Sequence, residues 1–271
     1  MRPARPVQNV LVVGSALLFA ASLFVPRRDQ SGPVLSAATT FVRGAVTTES
    51  AGEVAGTRGD LGAVTRTALD AFAGIVRPLS RPEALESAFK SYFAYKRAHS
   101  DEITKPYLYF VDYGLPSTTP RGYVFDMDSL RVIDGPFTVA HGRGSSTARD
   151  GVPSRFSNAS GSNATSLGLY VARAIYSFHG KSAGHSYGSV GLRLMGVSHG
   201  FNDNAFARGV VAHGAPYVTP NGAGRSEGCP AMEPQRAERL LPKLADGGMV
   251  FLFAPDERWM TSDPWVASGA E

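Results

Sequence analysis

From Pro106 onward the chain becomes a succession of short aromatic and β-branched runs cut by glycine and proline. This texture limits the fold more than any other feature, because such runs suit half-buried or buried strands and such breaks suit tight turns. Tyr107–Tyr113 is aromatic and apolar throughout. Gly122–Asp126 and Leu130–Asp134 flank Met127-Asp128-Ser129, which reads as a hairpin turn. Phe137–Ala140 leads as a strand into the glycine-rich loop His141-Gly-Arg-Gly-Ser145. Leu167–Tyr176, Val190–Leu194, Gly209–Ala212 and Met249–Phe253 are further strand candidates. One late helix is expected between Pro234 and Leu244, with Ala237, Leu240, Leu241 and Leu244 on one face and Gly247 as a stop signal. Many short strands with one late helix predict a mainly β domain, sandwich-like or barrel-like, over 106–271.

Ahead of that domain the periodicity is helical. Leu61, Val64, Ala68, Leu69, Phe72 and Ile75 fall near helical spacing before Pro78 and Pro82 interrupt. Leu85, Phe89, Tyr92, Phe93 and Lys96 follow at three- and four-residue steps, with Pro82 suited to a first turn. Residues 61–105 therefore read as a helical segment packed on the domain. Residues 29–60 are rich in Ala, Gly, Thr and Ser without a sustained period, which predicts a flexible tether. Residues 1–28 carry Arg2 and Arg5 ahead of an apolar run from Val10 to Val25, closed by Pro26, Arg27 and Arg28. That order of charge and apolarity predicts a signal peptide or an N-terminal membrane anchor. An exported protein of the periplasm or cell envelope follows, associated with the inner membrane if the segment is kept.

With 271 residues, 43% of them hydrophobic, one ordinary core with appendages is the natural outcome. The net charge of +4 suits an anionic polymer or membrane surface. The basic residues are scattered rather than blocked, so no nucleic-acid partner is expected. His179, His185 and His199 raise the question of zinc, but no H-x-H, H-E-x-x-H or cysteine pair is present, and neither metal nor cofactor is expected. No Asp/Glu pair stands out for sugar cleavage.

The chain has one cysteine, so its thiol is not half of an internal disulfide. A lone Cys is often a small buried hydrophobe. Its neighbours leave a second reading open, a reactive thiol, which chance pairing of Cys and His can also imitate. Val210-Val-Ala-His-Gly-Ala215 sets His213 at the end of an apolar strand, and Arg225-Ser-Glu-Gly-Cys-Pro230 sets Cys229 in a glycine-bearing turn. A thiol becomes a strong nucleophile as thiolate, and an imidazole can take its proton and lower its pKa. Attack on an amide also needs main-chain donors for an oxyanion, and Gly228 lets the backbone approach closely while Pro230 has no N–H to give. Ser226 either orients His213 or forms a local turn bond. Arg225 is a candidate for gripping a substrate carboxylate, against a solvated loop arginine. His141 is either a contact across the groove or a histidine bonded to its own loop. Asn202, with Asp203 and Asn204, fits side-chain-to-backbone bonds in a loop, and Asn202 is kept as a candidate substrate contact.

The string His213-Gly-Ala … Gly224-Arg-Ser-Glu-Gly-Cys-Pro-Ala231 resembles the H-x-G … S-x-G-C signature of L,D-transpeptidases, most closely the murein L,D-transpeptidase catalytic-domain branch. Phe110–Thr118, Arg121–Asp126, Val139–Ser145, Arg155–Asn158, Ser166–Tyr170 and Phe201–Gly209 are similar to that branch's recurring strings, in order. The resemblance covers about 106–254. It implies cleavage of the bond between the L-centre of meso-diaminopimelate and the terminal D-alanine of a tetrapeptide stem of peptidoglycan. Cys229 would carry the acyl group, His213 would serve as base and then acid, and Gly214 would lie with the site. A stem amine as acceptor gives a transpeptidase, and water gives an L,D-carboxypeptidase. A non-catalytic peptidoglycan-binding module and a zinc peptidase are the competing classes; the first needs neither His213 nor Cys229, and the second lacks its ligand spacings. Two departures stand out. Pro230 and Ala231 stand where family members outside this branch usually carry a small aliphatic residue and then Arg, and Phe178–Tyr187 is longer than the matching turn.

Overall fold

A computed structural model describes residues 50–147 and 151–267, with side chains from 61 onward. The expected signal or anchor at 1–28, and the part of the expected tether before Ser50, lie outside these residues. Helix α1 spans Ser50–Phe72 and α2 spans Glu83–Ala98. The first helix thus begins inside the stretch read as tether, where the Ala- and Gly-rich sequence shows no apolar period to reveal it. Strands β1 (Tyr107–Asp112), β2 (Gly122–Asp126), β3 (Arg131–Phe137) and β4 (His141–Gly142) follow. Then come β5 (Gly168–Ser182), β6 (His185–Gly196) and β7 (Val211–Gly214). The short β8 (Val218–Thr219), β9 (Gly222–Ala223), β10 (Arg225–Ser226) and β11 (Ala231–Met232) precede helix α3 (Pro234–Leu244) and strand β12 (Met249–Phe253). Two short helices, α4 (Glu257–Ser262) and α5 (Pro264–Ala267), end the described chain.

Eight strands form one mixed sheet in the order β11-β7-β6-β5-β12-β1-β2-β3, and β10-β4 and β8-β9 form two small pairs. The architecture is mainly sheet with a few short helices behind an N-terminal helical region, as the sequence texture predicts. The pairing runs from β11 to β3 and does not join those two ends among the described residues. Strand β12 is buried at every position, because it lies between β5 and β1 in the middle of the sheet. Its Met-Val-Phe-Leu-Phe sequence is the continuous apolar run such a position requires.

The helices cover the sheet by aromatic packing. Phe72 of α1, Phe89 of α2 and Phe125 of β2 meet with centroid separations of 4.8–5.5 Å. Helix α3 buries Ala237, Leu240, Leu241 and Leu244. Its outer face is tied down by Arg236 and Arg239, both paired with Asp134 of β3.

The largest departure from expectation is at β5–β6. Two shorter strands with a long turn were predicted, whereas one hairpin continues to Ala183-Gly184, both in the left-handed region (φ 50° and 82°). That pair of positive φ angles is what a tight two-residue hairpin turn needs. In the outer half of this hairpin one face is exposed and the other, with Tyr176 and Phe178, is only half-buried. That half therefore shows little of the apolar alternation by which strands are read.

Candidate active site

Backbone pairing brings the two expected catalytic residues together. Strand β7 lies parallel to β11 with His213 opposite Ala231 and Gly214 opposite Met232. The His213 amide donates to the carbonyl of Pro230 at 3.3 Å, so the residue after Cys229 is bonded directly to the histidine's main chain. On its other side the cysteine turn is held by β10, whose Arg225 and Ser226 pair with His141 and Gly142 of β4. The segment Glu227–Pro230 is thus strung between two fixed pairings.

Ser226 and Gly228 set the shape of that turn. The Ser226 hydroxyl donates to the Cys229 carbonyl at 2.6 Å and accepts from the Gly228 amide at 3.1 Å. Gly228 has φ +123°, and a Cβ there would sit 3.0 Å from the Ala164 carbonyl oxygen. Only glycine combines that dihedral with that approach. Ser226 therefore braces the nucleophile's loop in this structure, and its hydroxyl bonds are made within the loop rather than to His213.

His213 is buried, and its ring is held from two directions. Its Nδ1 lies 3.0 Å from the Gly214 carbonyl oxygen. A carbonyl can only accept, so Nδ1 carries the proton and Nε2 is left as the basic nitrogen. Phe178, from the outer half of β5, stacks on the imidazole at 4.1 Å between centroids and 24° between planes. Burial lowers the histidine pKa to about 4, with the Gly214 bond acting in the opposite direction.

The thiol is shifted the other way. Burial pushes the Cys229 pKa up; a main-chain hydrogen bond from Val211 and the charge of Arg208 oppose this, and Glu227 adds to it. Both shifts favour the uncharged forms, thiol and imidazole. Val211 and Arg208 favour a sulfur anion, and an imidazole that takes the thiol proton adds a positive charge of its own.

Cys229 and His213 open onto one groove of about 980 Å³. Phe178 and Tyr187 of the β5–β6 hairpin, Tyr217, and the cations Arg143, Arg208 and Arg225 help to line it. Tyr187 and Tyr217 meet edge to face at 6.4 Å, joining the hairpin to the loop after β7. Glu227, paired with Arg143 at 3.6 Å, also lines the groove. Arg225 is exposed and donates one bond, at 3.3 Å, to the Ser146 carbonyl.

The other sequence candidates sit elsewhere. His141 is fully buried beside the buried Arg121, whose Nη2 lies 3.0 Å from His141 Nδ1. Burial and the charges of Arg121 and Arg225 lower the His141 pKa to about 3. Asn202 accepts from the Ser198 amide and donates to the Leu169 carbonyl, each at 2.9 Å, which fixes the loop after β6. Gly214 is a packing position, where a Cβ would meet Ser189 Oγ at 2.3 Å and Pro234 Cα at 2.8 Å. None of these three lines the groove. Conversely, sequence reasoning singled out neither Phe178 nor Tyr187, Arg208 or Tyr217. Arg208 lies inside the Phe201–Gly209 string, but no spacing rule marks it. Among the described residues, no three His, Cys, Asp or Glu side chains gather where they could hold a metal ion.

The family model of the L,D-transpeptidase catalytic domain matches residues 78–253. A search of curated proteins returned no match. Solved structures similar to this chain include an L,D-transpeptidase from Mycobacterium smegmatis, at 16% identity and TM-score 0.33, with 55% of this chain and 59% of that one covered. Another is an L,D-transpeptidase from Mycobacterium tuberculosis H37Rv, at 15% identity and TM-score 0.34, covering 55% of this chain and 57% of that one. A third, from Stackebrandtia nassauensis, has 16% identity and TM-score 0.35, with 63% and 66% covered. The chain spans about 59% of the length of the first of these structures. The family match takes in β1 to β12, including His213 and the Cys229 turn, and by it the chain belongs to the L,D-transpeptidase catalytic-domain family.

Proposed function

We propose that this protein is a cysteine acyltransferase that works on tetrapeptide stems of peptidoglycan through a thioester on Cys229. The observation that carries the reading is the β7–β11 register, which ties His213 to the residue after Cys229 at the edge of one groove. In this scheme Nε2 of His213 takes the thiol proton as the sulfur attacks the carbonyl at the L-centre of diaminopimelate. The tetrahedral intermediate collapses, the C–N bond breaks, and the D-alanine amine leaves with the proton returned by His213. An amine of a second stem then attacks the thioester, gives its proton to His213 and restores the thiol.

The basic lining of the groove supports an anionic peptide substrate. Arg225, exposed and weakly held, is suited to swing onto a stem carboxylate as a bidentate partner. The basic N-terminus and the apolar run Val10–Val25 support export to the cell envelope.

The test uses the full chain with tetrapeptide-stem muropeptides and follows D-alanine release by mass spectrometry. Release that iodoacetamide abolishes and a chelator spares is the expected result. A cross-linked product assigns the acceptor as a stem amine, and a tripeptide product alone assigns it as water. Folded protein that releases no D-alanine would overturn the reading in favour of a binding module.

A further inference from the structure

Arg208, on the loop before β7, lines the same groove as Cys229. Its guanidinium is half-buried on the wall of the groove, beside the cysteine turn. A Cβ at Gly228 would come within 3.6 Å of Arg208 Nη2. Four bonds hold the group in place. Nη1 donates to the Ser157 carbonyl at 2.8 Å and to Ser166 Oγ at 3.3 Å. Nη2 donates to the Ala164 carbonyl at 2.8 Å and to Ser162 Oγ at 3.2 Å.

Two consequences follow from that list of partners. All four acceptors are neutral oxygens, so the bonds fix the cation without cancelling its charge. They also occupy both terminal nitrogens of a fork that has five N–H donors in all. A carboxylate would find no free pair of parallel donors there, which argues against a substrate clamp of the kind open to Arg225. What remains is a rigidly placed positive charge beside the nucleophile.

We propose that Arg208 is a positioning residue that acts through Cys229: a fixed cation, held by neutral acceptors against the Gly228–Cys229 turn, that stabilises the sulfur as it becomes an anion. The proposal rests on Cys229 being the nucleophile. The surroundings leave Arg208 this role. Its charge favours the thiolate, while Glu227, exposed on the turn itself, opposes it. His213 is neutral, with its pKa at about 4. Burial holds Tyr113, Tyr170, Tyr176, Tyr187 and Tyr217 in their neutral forms, so none of them supplies a charge. Arg225, the other groove cation considered for the site, is exposed and held by one long bond.

The test is the rate at which Cys229 reacts with iodoacetamide as a function of pH, a readout that needs no turnover of stems. Failure of the acyltransferase reading would therefore leave it interpretable. Arg208→Gln is expected to move the thiol's titration to higher pH and slow alkylation near neutral pH about tenfold, the effect of one unit of pKa. Arg208→Lys, which keeps the charge, should slow it less than threefold. Should Arg208→Gln not fold, Ser162→Asp provides the second measure, since it sets a carboxylate against the guanidinium without removing it. That variant should slow alkylation as Arg208→Gln would, with Ser162→Asn close to wild type. An unmoved pH profile in folded Arg208→Gln, or in Ser162→Asp, would overturn the proposal.

Discussion

At the scale of single residues, burial favours the uncharged imidazole of His213 and the uncharged thiol of Cys229. His213 stays neutral down to about pH 4, whereas an imidazole in the unfolded chain takes up a proton near 6.5. Between those values the unfolded state binds more protons, so stability falls as pH is lowered from 6.5 towards 4. The gap amounts to roughly 3 kcal/mol at full effect. His141, buried and lowered to about 3, acts in the same direction. We predict that His213→Asn weakens the loss of stability over this window, as measured by melting temperature against pH, with His141 supplying what persists. The same shift keeps the base available in mild acid. The acid limb of activity assigned to His213 should fall nearer pH 4 than 6.5.

Much of this pair was legible beforehand, and for a physical reason. A lone cysteine beside glycine in a turn, and a histidine closing an apolar strand, are local signals that do not depend on distant packing. What could not be read was the use of Ser226, whose hydroxyl partners are set by the turn's three-dimensional path. His141 and Asn202 were carried as contacts, yet polarity alone does not distinguish a groove residue from one that satisfies a buried loop. The direction of the thiol shift was hidden too, because it depends on burial and on Arg208, twenty-one positions earlier in the chain.

At the scale of elements, the β5–β6 hairpin links fold to chemistry. Its outer half has one exposed face, but the hairpin carries Phe178 onto His213 and Tyr187 onto Tyr217. A stacked ring of this kind contributes on the order of 1 kcal/mol beyond its area. Phe178→Ala should therefore cost little global stability, because the residue is only half-buried. It should admit water to the imidazole and move the acid limb of the rate profile upward towards 6.5. A pH–rate profile superimposable on wild type would show that the hairpin does not control the base. The central elements were readable from sequence: Met249–Phe253, Pro234–Leu244 and Glu83–Ala98 appear close to where apolar pattern put them. The hairpin's tip was not, since a face that is only half-buried and holds Gly180, Ser182 and Ser189 leaves little apolar trace.

At the scale of the whole described structure, one core joins the N-terminal helices to the sheet. Phe72, Phe89 and Phe125 bring α1, α2 and β2 into a single aromatic cluster, and Phe72 is almost wholly buried. Phe72→Ala should cost about 3–5 kcal/mol, the usual range for emptying such a site. Urea unfolding should show a lower midpoint with an unchanged slope. A separate early transition would mean that α1 is a detachable appendage.

The account's central claim is that one sulfur, paired with one imidazole by the β7–β11 register, holds the acyl group between donor and acceptor. Its most direct measurement is the intact mass of the full chain after a brief reaction with a tetrapeptide stem, followed by peptide mapping. The account predicts a mass gain equal to the stem less D-alanine, located on Cys229, absent from Cys229→Ser and sharply reduced in His213→Asn. An adduct at any other residue, or D-alanine released by Cys229→Ser at the wild-type rate, would contradict it.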